Sequence, residues 1–279
     1  MGALNLDILG PALVAGLLIL ATHVPLGMIV LNRGIIFIDI ALAQVAALGV
    51  VFASLMWGTS SMWIVQLCAV SAAIGCSAIL TWTDRRWPDI QEAIIGVIYV
   101  LAAAAQIILL AYSSNGAEQL KALMVGQILW VTPLQLVVVA AIYAVVLAIW
   151  FFRDLVRERH VFYAVFAIVI TASVQIVGVL LVFASLIVPA MAARHAPRGW
   201  RLAIAFNVGV VGYLAGFLAS AVLDLPTGAA IVVALIPVAL AAAILIEQAR
   251  RRVGAGRPGR RRGGREPGGA GFNDLHLHP

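Results

Sequence analysis

Few side chains in this sequence could take part in chemistry, and they lie within long apolar stretches. They are one imidazole, one carboxylate and five carboxamides: His23, Asp39, Gln44, Gln66, Gln106, Gln175 and Asn207. Polar groups in a low-dielectric interior are unfavourable unless they have partners or line a path for an ion or solute. We therefore take Asp39, Gln44 and His23 as candidate residues of a substrate pathway.

Each candidate also has a structural interpretation. Asp39 follows Arg33 closely in the chain and could pair with it at a helix end. His23 precedes Pro25, where a kink could expose carbonyls, and it could equally be a hydrogen-bonded core histidine. Gln44 and the other carboxamides could join helices by hydrogen bonds. Asp39 and Gln44 are five residues apart, about 140° around a helix, so they need not share one face.

Arrangements that many enzymes require are absent from the sequence. It contains no H-E-x-x-H motif, no phosphate-binding G-x-x-x-x-G-K-[ST] loop and no Ser/His/Asp set. We therefore expect no catalytic residue and no cofactor in this chain, and these patterns assign no metal ligand. If ATP drives the activity, its hydrolysis belongs to a separate chain.

The elements that position the candidates are predicted to be membrane-spanning helices. The chain has 279 residues, of which 63% are hydrophobic and 11% are charged, whereas soluble domains carry about 25% charged residues. A helix crosses the hydrocarbon core with about 20 apolar residues. Apolar segments fall at about 8–31, 35–57, 62–82, 91–112, 133–152, 161–193, 200–223 and 226–247. The sequence thus predicts an all-α polytopic membrane protein with a bundle of eight to nine transmembrane helices.

The segment 161–193 is too long for one perpendicular crossing. Gly178 lies in its middle and Pro189 near its end, and both residues can interrupt a membrane helix. We therefore predict a broken or re-entrant segment, which gives nine passes, or eight with one re-entrant piece.

Arginine placement predicts the orientation. Arg33, Arg85, Arg86 and the arginines of 153–159 occupy alternate loops. The positive-inside rule places these loops in the cytoplasm and the N-terminus outside. The alternation continues to the arginines of 194–201 only if the long segment before them enters the membrane and returns. The C-terminus is then cytoplasmic.

Composition divides the chain into a transmembrane domain, 1–249, and a tail, 250–279. The tail holds eight Arg against Glu266 and Asp274, which equals the net charge of +6 of the whole chain. Gly, Pro and Arg dominate it without apolar periodicity, as is typical of disordered segments. We expect this disordered tail to lie on anionic membrane lipid at the cytoplasmic face and expect no binding of nucleic acid.

Several short motifs follow one another in an order known from one transporter family. They are Pro25-Leu26-Gly27, Ala41-Leu42-Ala43-Gln44 before Gly49, Gly126-Gln127-Ile128-Leu129 before Pro133, Gly178-Val-Leu-Leu, Ala184-Ser-Leu-Ile-Val-Pro189-Ala190 and Asp224-Leu-Pro226-Thr-Gly228. In this ordered set, residues 9–247 resemble the permease subunits of zinc/manganese-type ABC importers.

The resemblance implies a function, a location and partners. The chain would be the membrane-spanning permease of an importer for a divalent metal ion, in a bacterial inner membrane, working by alternating access. Its partners would be a second permease copy, two cytoplasmic ABC ATPases that hold the ATP, and an extracellular or periplasmic solute-binding protein.

The sequence departs from the family pattern on the second helix. The family carries D-A-L-S-H-A-x-x-P-G there, and alignment on Gly49 places its Asp on Ile40, its His on Gln44 and its Pro on Leu48. Asp39 is one residue early, about 100° around the helix. The identity of the metal is therefore unassigned.

The cytoplasmic connection before the Gly178 helix is short, about 152–161. In the family this connection is long and contains a helix that docks onto the ATPase. The candidate coupling residues here are its charged ones: Arg153, Asp154, Arg157, Glu158 and Arg159. The short connection and the absent ligands also support an alternative, a membrane transporter not coupled to ATP or a structural subunit of an envelope complex.

Overall fold

A computed structural model describes residues 6–57, 62–113, 115–152 and 158–255, and within them every regular element is helical. The α-helices are α1 (Leu6–Arg33), α2 (Ile38–Trp57), α3 (Met62–Arg86), α4 (Gln91–Leu110), α5 (Gly116–Val125), α6 (Pro133–Phe152), α7 (Arg159–Ala192), α8 (Arg201–Leu223) and α9 (Thr227–Ala255). Eight of them are long and apolar enough to cross a membrane, and the ten-residue α5 is not. The predicted all-α membrane fold is confirmed.

The helices differ in how deeply they lie in the bundle. In α7, 83% of the most apolar stretch is buried, and the corresponding values are 67% in α1 and 61% in α2. Only 17% is buried in α6 and 22% in α4 and in α9. The outer helices therefore present apolar side chains outward, as lipid contact requires. The core is built on α1, α2 and α7.

The long helix α7 is broken at Gly178, whose φ of 76° and ψ of 166° are not helical. At its start, Phe162 lies under the guanidinium of Arg33, 4.3 Å from the ring centre. Beyond the break, Leu186 packs its backbone against Gly27. A straight helix would separate Phe162 from Leu186 by about 36 Å, whereas the two contacts on α1 lie about 9 Å apart along its axis.

The two halves of α7 therefore fold back on one another, and both pack on α1. A ring contact supports this arrangement, since Phe183 of the second half stacks on Phe37, just before α2, with 6.4 Å between ring centres. Gly178 is thus the predicted break. Pro189, the other predicted break point, lies inside the second helical half.

A backbone contact between two glycines fills the break. Gly126, just after α5, has a φ of 73° and packs on Gly178. A Cβ atom at Gly178 would lie 2.6 Å from the carbonyl oxygen of Met124. The Gln127 N–H donates to the carbonyl of Ile176 at 3.0 Å, which satisfies an acceptor released by the break. Glycine is required here both by the positive φ and by the close approach.

The C-terminal helix α9 continues to Ala255, past the predicted boundary between 249 and 250. Within this extension Arg251 pairs with Glu247 at 3.0 Å. Residues 256–279 lie outside the described residues, so the disordered tail stays a prediction. Arg153, Asp154 and Arg157 of the candidate coupling segment also lie outside them.

We predict that Gly126→Ala destabilises the folded protein by about 3 kcal/mol, since it adds a backbone clash to an unfavourable positive φ. The measurement is the midpoint of thermal unfolding of the purified chain in detergent. Two controls separate the causes. Gly34→Ala, at a φ of 73° with open space around it, should lose only about 1 kcal/mol. Gly96→Ala, in open helix, should be neutral or stabilising. Equal effects at Gly126 and Gly34 would contradict the close packing.

Candidate functional site

The three candidate pathway residues are all buried inside the bundle, but they do not come together. Asp39 and His23 are fully buried, and Gln44 is 3% exposed. Asp39 and Gln44 lie on α2, which packs on α3, α4 and α7. His23 lies on α1, which packs on α6, α7 and α8. The structure therefore divides the candidates between two polar clusters.

The first cluster lies between α2 and α4, which we call the α2–α4 seam. Gln44 Nε2 donates a hydrogen bond to Gln106 Oε1, and both side chains are buried. The interhelical hydrogen bond proposed for the carboxamides is therefore present for this pair. Gln44 Oε1 and Gln106 Nε2 have no partner, so each amide keeps one free polar atom inside the protein.

At the N-terminal ends of the same helices the seam contains two carboxylates. Neither oxygen of Asp39 has a hydrogen-bond partner. The alternative pairing of Asp39 with Arg33 is not formed, and the Arg33 guanidinium lies on the Phe162 ring. The neighbouring carboxylate is that of Glu92, in the first turn of α4, whose Oε1 accepts the Phe37 N–H at 3.2 Å. Glu92 thereby caps the start of α2 from another helix.

The second cluster surrounds His23. Its Nδ1 lies 2.9 Å from the carbonyl oxygen of Ile19, so this nitrogen carries the proton and donates. The other ring nitrogen, Nε2, is buried without a partner. Thr22 Oγ1, which donates to the same carbonyl at 3.0 Å, lies beside the ring. Only one of the two ring nitrogens of His23 therefore has a hydrogen-bond partner.

Two tyrosines near this cluster fasten outer helices to α7. Ser173 donates to the Val169 carbonyl at 2.6 Å, so its oxygen is free to accept from Tyr143 of α6, 2.5 Å away. Ser185 uses its proton on its own helix in the same way and accepts from Tyr213 of α8 at 2.7 Å. One tyrosine thus binds each half of α7. These pairs are not predictable from the sequence, because serine and tyrosine within apolar runs carry no spacing signal.

Two further polar residues of the inventory, Asn207 and Gln175, are exposed. Asn207 is exposed and donates only to Ala203 of its own helix, at 2.8 Å. Gln175 is exposed, although it lies in the middle of the most buried helix, three residues before Gly178. A carboxamide at this position faces out of the bundle on a helix that is otherwise covered.

The candidate coupling residues lie at the start of α7. Glu158 precedes the helix, and its carbonyl accepts the Phe162 N–H at 3.0 Å. Arg159 is the first helical residue. Arg85, at the end of α3, donates to Nδ1 of His160 at 2.7 Å. This contact attaches the start of α7 to the neighbouring helix end.

Several cavities adjoin these elements. One of about 450 Å³ lies between the turn after α5 and the start of α9, with Gly126, Gln127 and Thr227 in its wall. Another, of about 650 Å³, is apolar and lies between α2, α3 and α4, and its wall includes Val45 and Ala105, the sequence neighbours of Gln44 and Gln106. A third, of about 400 Å³, has Arg85 and His160 in its wall. Among the described residues no three His, Cys, Asp or Glu side chains converge on one point as a metal site would require.

Comparison with known proteins gives one family and a shared fold. A family model described as the ABC 3 transport family matches residues 5–158 and 157–246. PsaBC from Streptococcus pneumoniae, solved in complex with Fab, is 19% identical, with a TM-score of 0.70 over 86% of this chain and 92% of that one. An ABC transporter assigned to the metal-chelate type, in an inward-facing conformation, is 15% identical, with a TM-score of 0.60 over 88% of this chain and 85% of that one.

We predict that Gln44→Met and Gln106→Met each destabilise the protein by about 1–2 kcal/mol, because each leaves the partner amide without its hydrogen bond. The double variant should lose less than the sum, with a coupling of about 0.6–1.7 kcal/mol. Thermal unfolding of the four proteins in detergent measures this cycle. Asn207→Leu, which removes a bond within one helix, is the control and should change little. Strict additivity would show that the pair does not hold the helices together.

Proposed function

The chain belongs to the ABC 3 transport family, and we propose on this basis that it is the membrane-spanning permease subunit of an ATP-binding-cassette importer. The observation that carries the proposal is that the family match covers residues 5–246, which extend into all eight membrane-crossing helices. The fold shared with PsaBC supports it. ATP would be bound and hydrolysed by a separate cytoplasmic ATPase.

A divalent metal ion is the proposed cargo. One of the solved neighbours is assigned to the metal-chelate type, and the α2–α4 seam offers oxygen atoms that could hold a cation. Asp39 and Gln44 are the proposed pathway residues on α2. His23 lies in the second polar cluster, beside the hydroxyl group of Thr22. We expect this cluster to line another part of the path.

The proposed mechanism is alternating access, in which the two ends of the path open in turn. Its moving part must expose Asp39 and Gln44, which are buried in the present arrangement. The outer helix α4 is the element that covers them, and it is itself little buried. Displacement of α4 from α2 would open the seam without disturbing the core of α1 and α7.

A second permease copy would complete the path. Gln175 is exposed in the middle of α7, and a carboxamide at that depth is unfavourable against lipid. A second copy, or water between two copies, supplies the missing polar environment. The family likeness adds the other two proposed partners, a cytoplasmic ABC ATPase and an extracellular or periplasmic solute-binding protein.

Coupling to the ATPase is proposed for the charged segment 153–159. It leads directly into α7, whose first turn is fixed by the Glu158 carbonyl and whose break meets the end of α5 at Gly178. A force on this segment would therefore be transmitted along the central helix. The alternative, a transporter not coupled to ATP or a structural subunit of an envelope complex, is favoured by the shortness of this segment.

We predict that the chain co-purifies with a cassette ATPase and that Arg157→Glu lowers the amount recovered by about fivefold or more, since it reverses a charge in the proposed docking segment. Quantitative immunoblotting of detergent pull-downs measures this. Arg251→Glu is the matched control, because its exposed pair with Glu247 contributes little. An ATPase that never associates with the parent chain would contradict the importer and favour the uncoupled alternative.

The folded-back α7 predicts an odd number of crossings, which places the two termini on opposite sides of the bacterial inner membrane. The arginine-rich loops then predict an external N-terminus and a cytoplasmic C-terminus. Green fluorescent protein fused after residue 279 should fluoresce, and alkaline phosphatase fused there should be inactive. The control is a fusion within 58–61, which should show the opposite pattern. Phosphatase activity at the C-terminus would mean that α7 crosses the membrane without returning.

A further inference from the structure

We propose that Asp39 and Glu92 form a divalent-cation site at the N-terminal ends of α2 and α4. The site is separate from Gln44 and Gln106, which lie further along the same seam. The inference deepens the proposed function, because it identifies the chemistry with which the cargo would be held as it passes this end of the seam. The predicted orientation makes this the cytoplasmic end.

The first observation is the environment of Asp39. Its side chain is fully buried, and within the described residues no side chain donates a hydrogen bond to either carboxylate oxygen. The N–H groups of Asp39 and Ile40, in the first turn of α2, are the donors that face it. A buried carboxylate is strongly unfavourable unless a proton, a cation or hydrogen-bond donors balance it. The start of α2 offers the positive end of a helix dipole, but that effect is modest and serves mainly exposed acids. Asp39 therefore has no side-chain partner and no cationic partner among the described residues.

The second observation is the position of Glu92. Its Oε1 is held by the Phe37 N–H at 3.2 Å, two residues before Asp39 in the chain. Its Oε2 is buried and has no partner. The hydrogen bond to Phe37 therefore holds the Glu92 carboxylate against the first turn of α2, the turn that also carries Asp39. Three unpartnered carboxylate oxygens, two from Asp39 and one from Glu92, thus lie in one region of the seam.

No cationic side chain of the described residues occupies this region. Arg33, the arginine nearest in sequence, places its guanidinium on the Phe162 ring at 4.3 Å. Within the same part of the chain, no ion pair joins either carboxylate to Lys, Arg or His. Carboxylate oxygens that no protein cation neutralises are the ligands that a hard divalent cation prefers.

The donor atoms define the class of cation. Carboxylate oxygens suit hard divalent ions such as Mn²⁺, Mg²⁺ and Ca²⁺, whereas sulfur and imidazole suit softer ones. No thiol or imidazole joins Asp39 and Glu92 among the described residues. Two protein ligands leave the other coordination positions to water, which allows the ion to be released. The site is therefore built for weak, reversible holding of a hard cation.

Manganese itself is the probe, because free Mn²⁺ gives a six-line electron paramagnetic resonance spectrum that broadens on binding. The purified full-length chain in lipid nanodiscs should bind Mn²⁺ saturably. Asp39→Asn and Glu92→Gln should each weaken that binding by about tenfold or more. Both changes keep the shape of the side chain. The amide oxygen introduced by Glu92→Gln can still accept the Phe37 N–H, so the fold is retained.

Asp89→Asn is the matched control, since Asp89 is an exposed carboxylate three residues before Glu92. It should leave Mn²⁺ binding unchanged. Circular dichroism and size-exclusion profiles of the three variants confirm that any loss is local. Equal Mn²⁺ affinity in the parent, Asp39→Asn and Glu92→Gln proteins would overturn the proposal, and so would the absence of saturable binding in the parent.

The outcome is distinguishable from failure of the proposed function. If the cassette ATPase co-purifies while Mn²⁺ binding is unaffected by Asp39→Asn, the importer stands and the cation site falls. If Mn²⁺ binding depends on both carboxylates while no ATPase associates, the site stands and the coupling to ATP falls.

Discussion

The backbone contact between Gly126 and Gly178 is the constraint on which the rest of the arrangement depends. Within a membrane, a chain can leave the helical conformation only where other protein groups satisfy its free N–H and carbonyl groups. Here the Gln127 N–H bonds to Ile176, and two glycines at positive φ let the segments touch. This contact allows α7 to turn back, so that both of its halves can pack on α1.

Once α7 is folded back, each of its two halves binds an outer helix, α6 on the first half and α8 on the second. Tyr143 of α6 holds the first half through Ser173, and Tyr213 of α8 holds the second through Ser185. Such hydrogen bonds are individually modest in membranes. They act together with backbone packing at Gly27 and Gly178, so that α1 and α7 form the rigid part of the molecule and the outer helices are left less constrained.

Most of the fold is predictable from the sequence, and the pairing of polar groups is not. Apolar runs of spanning length predict the helices, because lipid imposes that length directly, and Gly178 predicts the break. The hydrogen-bond partner of Gln44 is 62 residues away in the chain. Glu92, proposed to act together with Asp39, cannot be told from any other acidic residue in the first turn of a helix. Which acid meets which helix start depends on tertiary packing. Closeness in sequence is therefore a poor guide to pairing, since Asp39 and Arg33 do not pair.

The distribution of burial explains where motion can occur. Separation of α4 from α2 must break two specific contacts, the Gln44–Gln106 hydrogen bond and the Glu92 cap at Phe37. Contacts of this kind are worth about 0.6–1.7 kcal/mol each, which is small enough for a reversible transition. Separation of α1 from α7 would instead expose the most buried helix of the bundle. A cation bound between Asp39 and Glu92 would hold the α2–α4 seam closed, and its departure would remove that link between the two helices. Binding and movement of the seam are therefore linked through the same pair of carboxylates.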